Sequence, residues 1–369
     1  MIVGVPKEIK NHEYRVGLVP RSVSEFVRAG HSVKVETQAG AGIGASDDDY
    51  RAAGAEIVDT AEEIFATAEM VVKVKEPQLH ECAQLREGQI LYTYLHLAPD
   101  WAQTDALIKS GATCIAYETV TDANGRLPLL APMSRVAGRM SIQAAASGLE
   151  KKNGGRGLLF GGVPGVEPAK VLVLGGGVVG RNAAEMAVGL RADVTVLDRS
   201  DAVLNDIDQC FDGRVKTIFS TQSAIDELIT QADVVIGAVL IPGASAPKLV
   251  RKSHLATMKQ GAVMVDVAVD QGGCFETTHA TTHADPIYSV DGIVHYCVAN
   301  MPGAVPLTSS TALNNATLGH GLSIANKGWE AALAADAGLM NGLNVHAGMV
   351  TNAQVAEAHG LALREVRVA

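Results

Sequence analysis

Residues 170–187, Lys-Val-Leu-Val-Leu-Gly-Gly-Gly-Val-Val-Gly-Arg-Asn-Ala-Ala-Glu-Met-Ala, restrict the fold more than any other stretch of the chain. A short apolar run meets Gly-x-Gly-x-x-Gly and opens into a helical pattern with Ala and Met on one face, the signature of strand, tight turn and helix. A second apolar run, 192–198, follows about one helix later and ends in the acid Asp198, completing a dinucleotide-binding βαβ unit. Gly175 permits the sharp turn, Gly177 lets the backbone approach a pyrophosphate, and Gly180 lets the helix lie close on the strand. The first turn of that helix, with Val178 and Val179, offers backbone N–H groups and the positive end of its dipole to the phosphates. At the end of its strand Asp198 can accept hydrogen bonds from both adenosine ribose hydroxyls and repels a 2′-phosphate, which favours NAD; only Arg199 beside it speaks for NADP. The near-match Gly40-Ala-Gly-Ile-Gly44 has the wrong final spacing and reads as a tight loop.

At 369 residues the chain exceeds one ordinary core, so two domains are expected. A net charge of −10 argues against nucleic acid and acidic membrane surfaces as partners. The N-terminus reads as a strand carrying charge at Lys7 and Glu8, too early for a signal peptide, and no apolar run reaches the ~18 residues of a membrane span. A soluble, cytoplasmic protein is the expectation. Five scattered cysteines, 82, 114, 210, 274 and 297, without a Cys-x-x-Cys pair, read as buried free thiols. Few aromatics among abundant Ala, Gly and Val suit parallel sheets covered by closely packed helices.

Along the first third, apolar runs at 2–5, 32–36, 70–74, 90–95 and 113–117 alternate with helical patterns at 23–29, near 61 and at 101–109, implying a parallel sheet. Residues 134–152 have helical spacing with Ser134 as N-cap. The turn-rich stretch 153–168 leads into the nucleotide domain, which continues through strands at 215–220, 234–239, 262–269 and 293–298. From 308 onward two or three helical patterns appear with no sheet. So short a remainder packs on something already built, and a helix around 313–327 is expected to return to the first domain. The fold class is α/β: two Rossmann-like, doubly wound parallel-sheet domains separated by a cleft and joined by long connecting helices. Their expected bounds are 1–128 with 307–369 for a discontinuous substrate domain and 129–306 for the NAD-binding domain.

In open α/β sheets ligands gather at the carboxyl ends of strands. Four polar residues follow such runs: Arg15, Lys75, His96 and Asp270. Each has a structural alternative. Arg15 reads equally as a solvated loop charge, Lys75 with Lys73 as an exposed strand face, His96 as a cap and Asp270 as a helix N-cap. Together, beside a nicotinamide site, they read as catalytic and substrate-binding. Tyr94, Asp266 and His12 are poorer candidates from the same regions. The His279-x-x-x-His283-x-Asp285 spacing falls among threonines in a loop, so no metal site is expected. No Gly-x-Ser-x-Gly, P-loop or His-Glu-x-x-His pattern is present.

These residues resemble a known family, the NAD-dependent alanine dehydrogenases, related to the NAD-binding domain of proton-translocating transhydrogenase. The resemblance runs end to end: Gly-Val-Pro-Lys-Glu-Ile-Lys-Asn from residue 4, Val-Lys-Val-Lys-Glu-Pro from 72, Tyr-Leu-His from 94, the glycine loop, Asp-Val-Ala-Val-Asp-Gln-Gly-Gly from 266 and Asn-Met-Pro-Gly-Ala-Val-Pro from 300. It implies that Arg15 and Lys75 hold the substrate's carboxylate and its carbonyl or amino end, that His96 and Asp270 are catalytic, and that Ser134, Asp198, Ser220, Val239, Leu240, Asn300 and Met301 lie around NAD. It also implies a homohexamer and L-alanine, pyruvate and ammonium as the small-molecule substrates. Val203 departs from relatives that carry a basic residue near the adenosine. Two other functions remain open at this point: a soluble NAD(H)-binding subunit of a transhydrogenase, and a non-catalytic NAD sensor.

Overall fold

The computed structural model describes residues 1–239 and 246–366. In chain order the first segment runs β1 (Ile2–Val5), α1 (Pro20–Arg28), β2 (Ser32–Glu36), α2 (Asp47–Ala52), β3 (Glu56–Val58), α3 (Ala61–Thr67), β4 (Met70–Val72), α4 (Leu79–Cys82), β5 (Ile90–Thr93), α5 (Trp101–Ser110) and β6 (Thr113–Ala116). The helix α6 (Ala131–Gly148) follows. Then come β7 (Lys170–Leu174), α7 (Val178–Gly189), β8 (Asp193–Asp198), α8 (Asp201–Phe211), β9 (Val215–Phe219), α9 (Gln222–Leu228), β10 (Val234–Gly237), β11 (Val263–Asp266), β12 (Ile287–Val290) and β13 (Ile293–Tyr296). The chain closes with α10 (Pro306–Lys327), α11 (Trp329–Ala335), α12 (Ala337–Met340), β14 (Leu343–His346), β15 (Met349–Val350) and α13 (Ala353–His359).

Two compact units result: Met1–Met133 with Gly303–Ala369, and Ser134–Pro302. The first holds an eight-stranded sheet in the order β15-β14-β6-β5-β4-β1-β2-β3, and the second a seven-stranded sheet in the order β12-β13-β11-β10-β7-β8-β9. Parallel pairing dominates both. The exceptions are β14 against β6, β15 against β14, and β12 against β13.

In the second unit the alternation of side chains across a strand sorts the apolar residues cleanly. Val171, Val173, Val194, Val196, Val234 and Ile236 pack with Ala183, Ala184 and Ala187 of α7 and Ile142 and Ala145 of α6. Leu172, Leu174, Leu197 and Val235 pack on the other face with Ile225 of α9. Burial on both faces explains why these strands read as continuous apolar runs.

The structure corrects the sequence reading at several points. The C-terminal segment does contain sheet: β14 pairs with β6, and Val345, Val350, Val355 and Ala356 join the first unit's core. Ser134 is not an N-cap, because α6 already starts at Ala131 with Pro132 in its first turn, where a missing N–H costs nothing. Four cysteines are buried, but Cys210 is exposed. Among the described residues no helix is long and apolar enough to cross a membrane, and no group of three metal-ligating side chains occurs.

One buried titratable group of the second unit gives its stability a pH dependence. His295 in β13 stacks on Tyr288, ring centroids 4.9 Å apart, and lies 2.8 Å from Thr277 Oγ1 through Nε2 and 3.0 Å from the Ile293 carbonyl through Nδ1. A neutral ring with its proton on Nδ1 donates to that carbonyl and accepts from the hydroxyl. Burial depresses its pKa below the ordinary 6.5, outweighing the carbonyl contact that raises it. The stability due to the neutral ring is therefore present above pH 6.5 and lost as pH falls below it. His295→Asn is expected to show a smaller drop in Tm than the parent between about pH 7.5 and about pH 5.5. Equal drops would exclude His295 as a source of the dependence.

Candidate active site

In the first unit the chain builds β1, β2 and β3 outward and then returns to place β4 on the other side of β1. Such a reversal leaves a crevice at the carboxyl ends of the two strands where helices diverge. Three of the four residues singled out from the sequence follow adjacent strands there: Arg15 after β1, Lys75 after β4 and His96 after β5.

Arg15 is not a solvated loop charge. It is 3% exposed, and its Nε and Nη2 donate to the two carboxylate oxygens of Glu13 at 2.6 and 2.5 Å. Its Nη1 donates to Met133 Sδ at 3.0 Å. Burial works against its charge, but the fork onto Glu13 and the Glu13 charge outweigh that and raise its pKa. The guanidinium is thus fixed in position as a permanent cation.

Lys73 and Lys75 do not form an exposed strand face, because β4 ends at Val72 and the alternation with it. Lys73 is fully buried between Glu8 and Glu81, whereas Lys75 is partly exposed with its Nζ 3.8 Å from Glu76 Oε2. Lys10 pairs with the other Glu76 oxygen. Burial alone raises the Glu76 pKa, yet Lys75 and Lys10 prevail and lower it. A carboxylate therefore waits beside the Lys75 ammonium.

His96 adopts φ +51°, an uncommon conformation for a residue with a side chain. The strain of about 1–2 kcal/mol is offset by Glu118, whose carboxylate accepts the N–H of Leu95 at 3.2 Å and of His96 at 2.6 Å. Two successive N–H groups aimed at one anion hold the turn and aim the ring outward. The imidazole lies parallel to the Tyr94 ring, 5.8 Å between centroids, with its side chain 39% exposed. Its Nδ1 is 4.0 Å from Glu118 Oε1, beyond hydrogen-bond range. Tyr94 links these groups: its hydroxyl donates to the Leu129 carbonyl at 2.6 Å, and burial raises its pKa against the lowering charge of Arg15.

In the second unit the reversal falls between β7 and β10, and the glycine loop lies at its carboxyl end. Gly175 has φ +99°, and a Cβ there would lie 2.8 Å from the Ala238 carbonyl oxygen. A Cβ at Gly180 would lie 1.8 Å from the Gly175 carbonyl oxygen, so helix and loop close only on glycine. At Gly177, by contrast, a Cβ would meet nothing within 4 Å. This residue is the N-cap of α7 and supplies no capping side chain. An open space at the N-terminus of a twelve-residue helix, entered through glycine, fits a pyrophosphate.

Asp198 ends β8, and its carboxylate already accepts Gly176 N–H at 2.7 Å and Ser200 N–H at 2.8 Å. It therefore ties the glycine loop to the next strand, with lone pairs remaining for ribose hydroxyls. Ser220, after β9, donates its N–H to the Asp198 carbonyl. Val239 follows β10, Leu240 lies outside the described residues, and Asn300 and Met301 follow β13. Asp270 does not end a strand. Four residues beyond β11, it is exposed on the single 3₁₀ turn Val269–Gln271. The strand ends instead at Asp266, whose buried carboxylate accepts N–H groups of Ala268, Cys274 and Phe275 and the Thr278 hydroxyl, a structural anchor for that loop.

The residues that the sequence reading missed are the anions holding these cations and turns: Glu8, Glu13, Glu76 and Glu118. Glu118 follows β6 as His96 follows β5, so the strand-end criterion itself would have found it.

Comparison with known proteins fits this layout. Residues 4–137 match the alanine dehydrogenase/PNT N-terminal domain and residues 141–353 its C-terminal domain. The chain is 58% identical to an alanine dehydrogenase of Halomonas elongata over 98% of this chain and 97% of that protein. A solved L-alanine dehydrogenase superposes with a TM-score of 0.94 at 51% identity, covering 98% of this chain and 99% of that one. A transhydrogenase from Sinorhizobium meliloti superposes with a TM-score of 0.81 at 26% identity, covering 96% and 99%. With both family domains matched in order across its length, the chain belongs to the alanine dehydrogenase/PNT family.

Proposed function

We propose that the protein catalyses the reversible oxidative deamination of L-alanine to pyruvate and ammonium with NAD as the electron acceptor. The observation that carries this reading is the full-length likeness to alanine dehydrogenases, far closer than that to transhydrogenase. Arg15, Lys75 and His96, following three neighbouring strands, supply the chemistry it needs. Arg15, held in place by Glu13, supplies a fixed positive charge for the substrate carboxylate, and Lys75 a point charge for the developing carbonyl or imine end. Gly175, Gly177, Val178, Val179 and Gly180 would cradle the cofactor's pyrophosphate, and Asp198 its adenosine ribose. Ser134, Ser220, Val239, Leu240, Asn300 and Met301 would complete its surroundings. A bound nicotinamide supplies the acceptor for the hydrogen and electron pair that leave Cα.

Loss of that pair from Cα of the neutral amine leaves an iminium ion, and water then adds to Cα. His96 takes a proton from the adding water, returns it to the departing nitrogen, and accepts the hydroxyl proton as the carbonyl forms and ammonia leaves, so one group serves both halves of the hydrolysis. Asp270 orients the water or stabilises the transient ammonium. The assembly is a homohexamer in the cytoplasm, as the family resemblance implies.

The deciding experiment is NADH formation on adding L-alanine and NAD to purified protein without membranes, together with NADH consumption on pyruvate and ammonium. A transhydrogenase subunit would bind NADH and do neither. For the cofactor, Asp198→Ala is expected to weaken NAD and shift the NAD-to-NADP ratio of kcat/KM toward NADP by about tenfold or more. An unchanged ratio would remove Asp198 from ribose recognition.

A further inference from the structure

Lys73, Glu8 and Glu81 form a buried cluster of one ammonium and two carboxylates at the root of the segment that carries Lys75. Lys73 Nζ donates to Glu81 Oε1 at 2.9 Å and to Glu8 Oε2 at 3.1 Å, and none of the three side chains is more than 2% exposed. Such a cluster is a poor source of stability. Each ion gives up hydration worth several kcal/mol, and apolar residues of similar volume often do as well or better. Its contacts point to a different use.

The second oxygen of Glu8 accepts the N–H of Val74 at 2.6 Å and of Lys75 at 3.3 Å. The second oxygen of Glu81 accepts the N–H of Gln78 at 2.7 Å, at the start of α4. The Lys75 carbonyl in turn accepts the Thr93 hydroxyl at 3.1 Å. Beyond Val72 the strand has ended, so both backbone polar groups of Lys75 are held by side chains instead of by a neighbouring strand. Glu8 also sits seven positions before Arg15 in the loop after β1, so one ammonium joins the two segments that present the cationic anchors.

We infer that Lys73 and Glu8 are positioning residues for Lys75: the buried ammonium seats the Glu8 carboxylate, and that carboxylate fixes the 74–75 backbone from which the Lys75 side chain reaches the substrate. The inference rests on the reading of Lys75 as a substrate-holding residue. Its size follows from geometry, because a displacement of 1 Å in such a group costs on the order of a hundredfold.

The test is a cycle of variants in the purified enzyme, reading KM for L-alanine and for pyruvate, kcat, NADH affinity and Tm. Glu8→Leu removes the acceptor for the two N–H groups. It is expected to raise KM for L-alanine at least about tenfold while NADH affinity stays within about twofold. Introduced into Lys75→Ala, the same substitution should change KM by less than about threefold, because the group it positions is already gone. Glu8→Gln keeps a carbonyl oxygen for Val74 and Lys75 but turns its amide NH2 onto the Lys73 ammonium, so it should recover only part of the loss, with KM between those of the parent and of Glu8→Leu. Lys73→Met, which removes the ammonium that seats Glu8 and leaves an apolar side chain one atom shorter, carries the same cycle if Glu8→Leu does not fold. An unaltered KM, or an equal rise in KM with and without Lys75, would reduce the cluster to a structural role and overturn the inference. If Lys75→Ala alone leaves KM for both substrates unchanged, the substrate-holding reading of Lys75 fails instead.

Discussion

Replacing His96 with alanine is expected to lower kcat for L-alanine oxidation, and for the reverse reaction, by at least about a hundredfold while NADH still binds. An imidazole is the side chain type suited to taking up and returning a proton in such a hydrolysis, and the fold invests in its placement. Glu118 takes two successive N–H groups to hold the left-handed turn, and Tyr94 backs the ring face. Alanine tolerates φ +51° poorly, so part of any loss could come from the backbone. His96→Asn separates the two effects, because asparagine adopts that conformation readily and carries no proton at working pH. Both variants should be impaired to a similar degree. Near-normal turnover in either would remove His96 from proton transfer, and loss of NADH binding would show that the substitution had disturbed more than the ring.

Arg15→Ala is expected to lower kcat/KM for L-alanine by roughly 30- to 5,000-fold and to lower Tm as well. Losing one partner of a buried charge-assisted contact costs about 2–5 kcal/mol, which sets that range. The thermal effect has a separate origin: Glu13, itself buried, is left without the guanidinium that neutralises it. The double variant Arg15→Ala with Glu13→Gln should therefore regain much of the lost Tm while kcat/KM stays low. Recovery of both together would mean that Arg15 supports the fold and does not grip the carboxylate.

What the sequence made legible was local. The strand, glycine turn and helix of residues 170–189 could be read because each glycine answers to a neighbour within a few positions, as the 1.8 Å approach of a Cβ at Gly180 to the Gly175 carbonyl shows. That Arg15 lies in the loop after β1 and His96 in the loop after β5 followed from the same periodic pattern, although the strands themselves stop at Val5 and Thr93. What could not be read depended on partners remote along the chain. The burial of Lys73 requires Glu8, 65 residues away, and the sequence offers only two lysines in an apolar run. The strand β14 was missed because Asn344 and His346 interrupt its apolar residues, and what makes it a strand is β6, more than 200 positions earlier. Asp270 was placed at a strand end because Val267, Ala268 and Val269 continue the apolar run of β11. The chain turns at Asp266 because that carboxylate gathers three backbone N–H groups.

The antiparallel pairing of β14 with β6 bears on the order in which a nascent chain gains its structure. The second unit is one continuous segment and has all its strands once Tyr296 has been synthesised. The first begins earlier yet lacks β14 and β15, with Val345 and Val350 of its core, until Val350 has been synthesised. The half that is translated first is thus the half that is finished last, and until then the open edge of β6 is exposed to pairing with other chains.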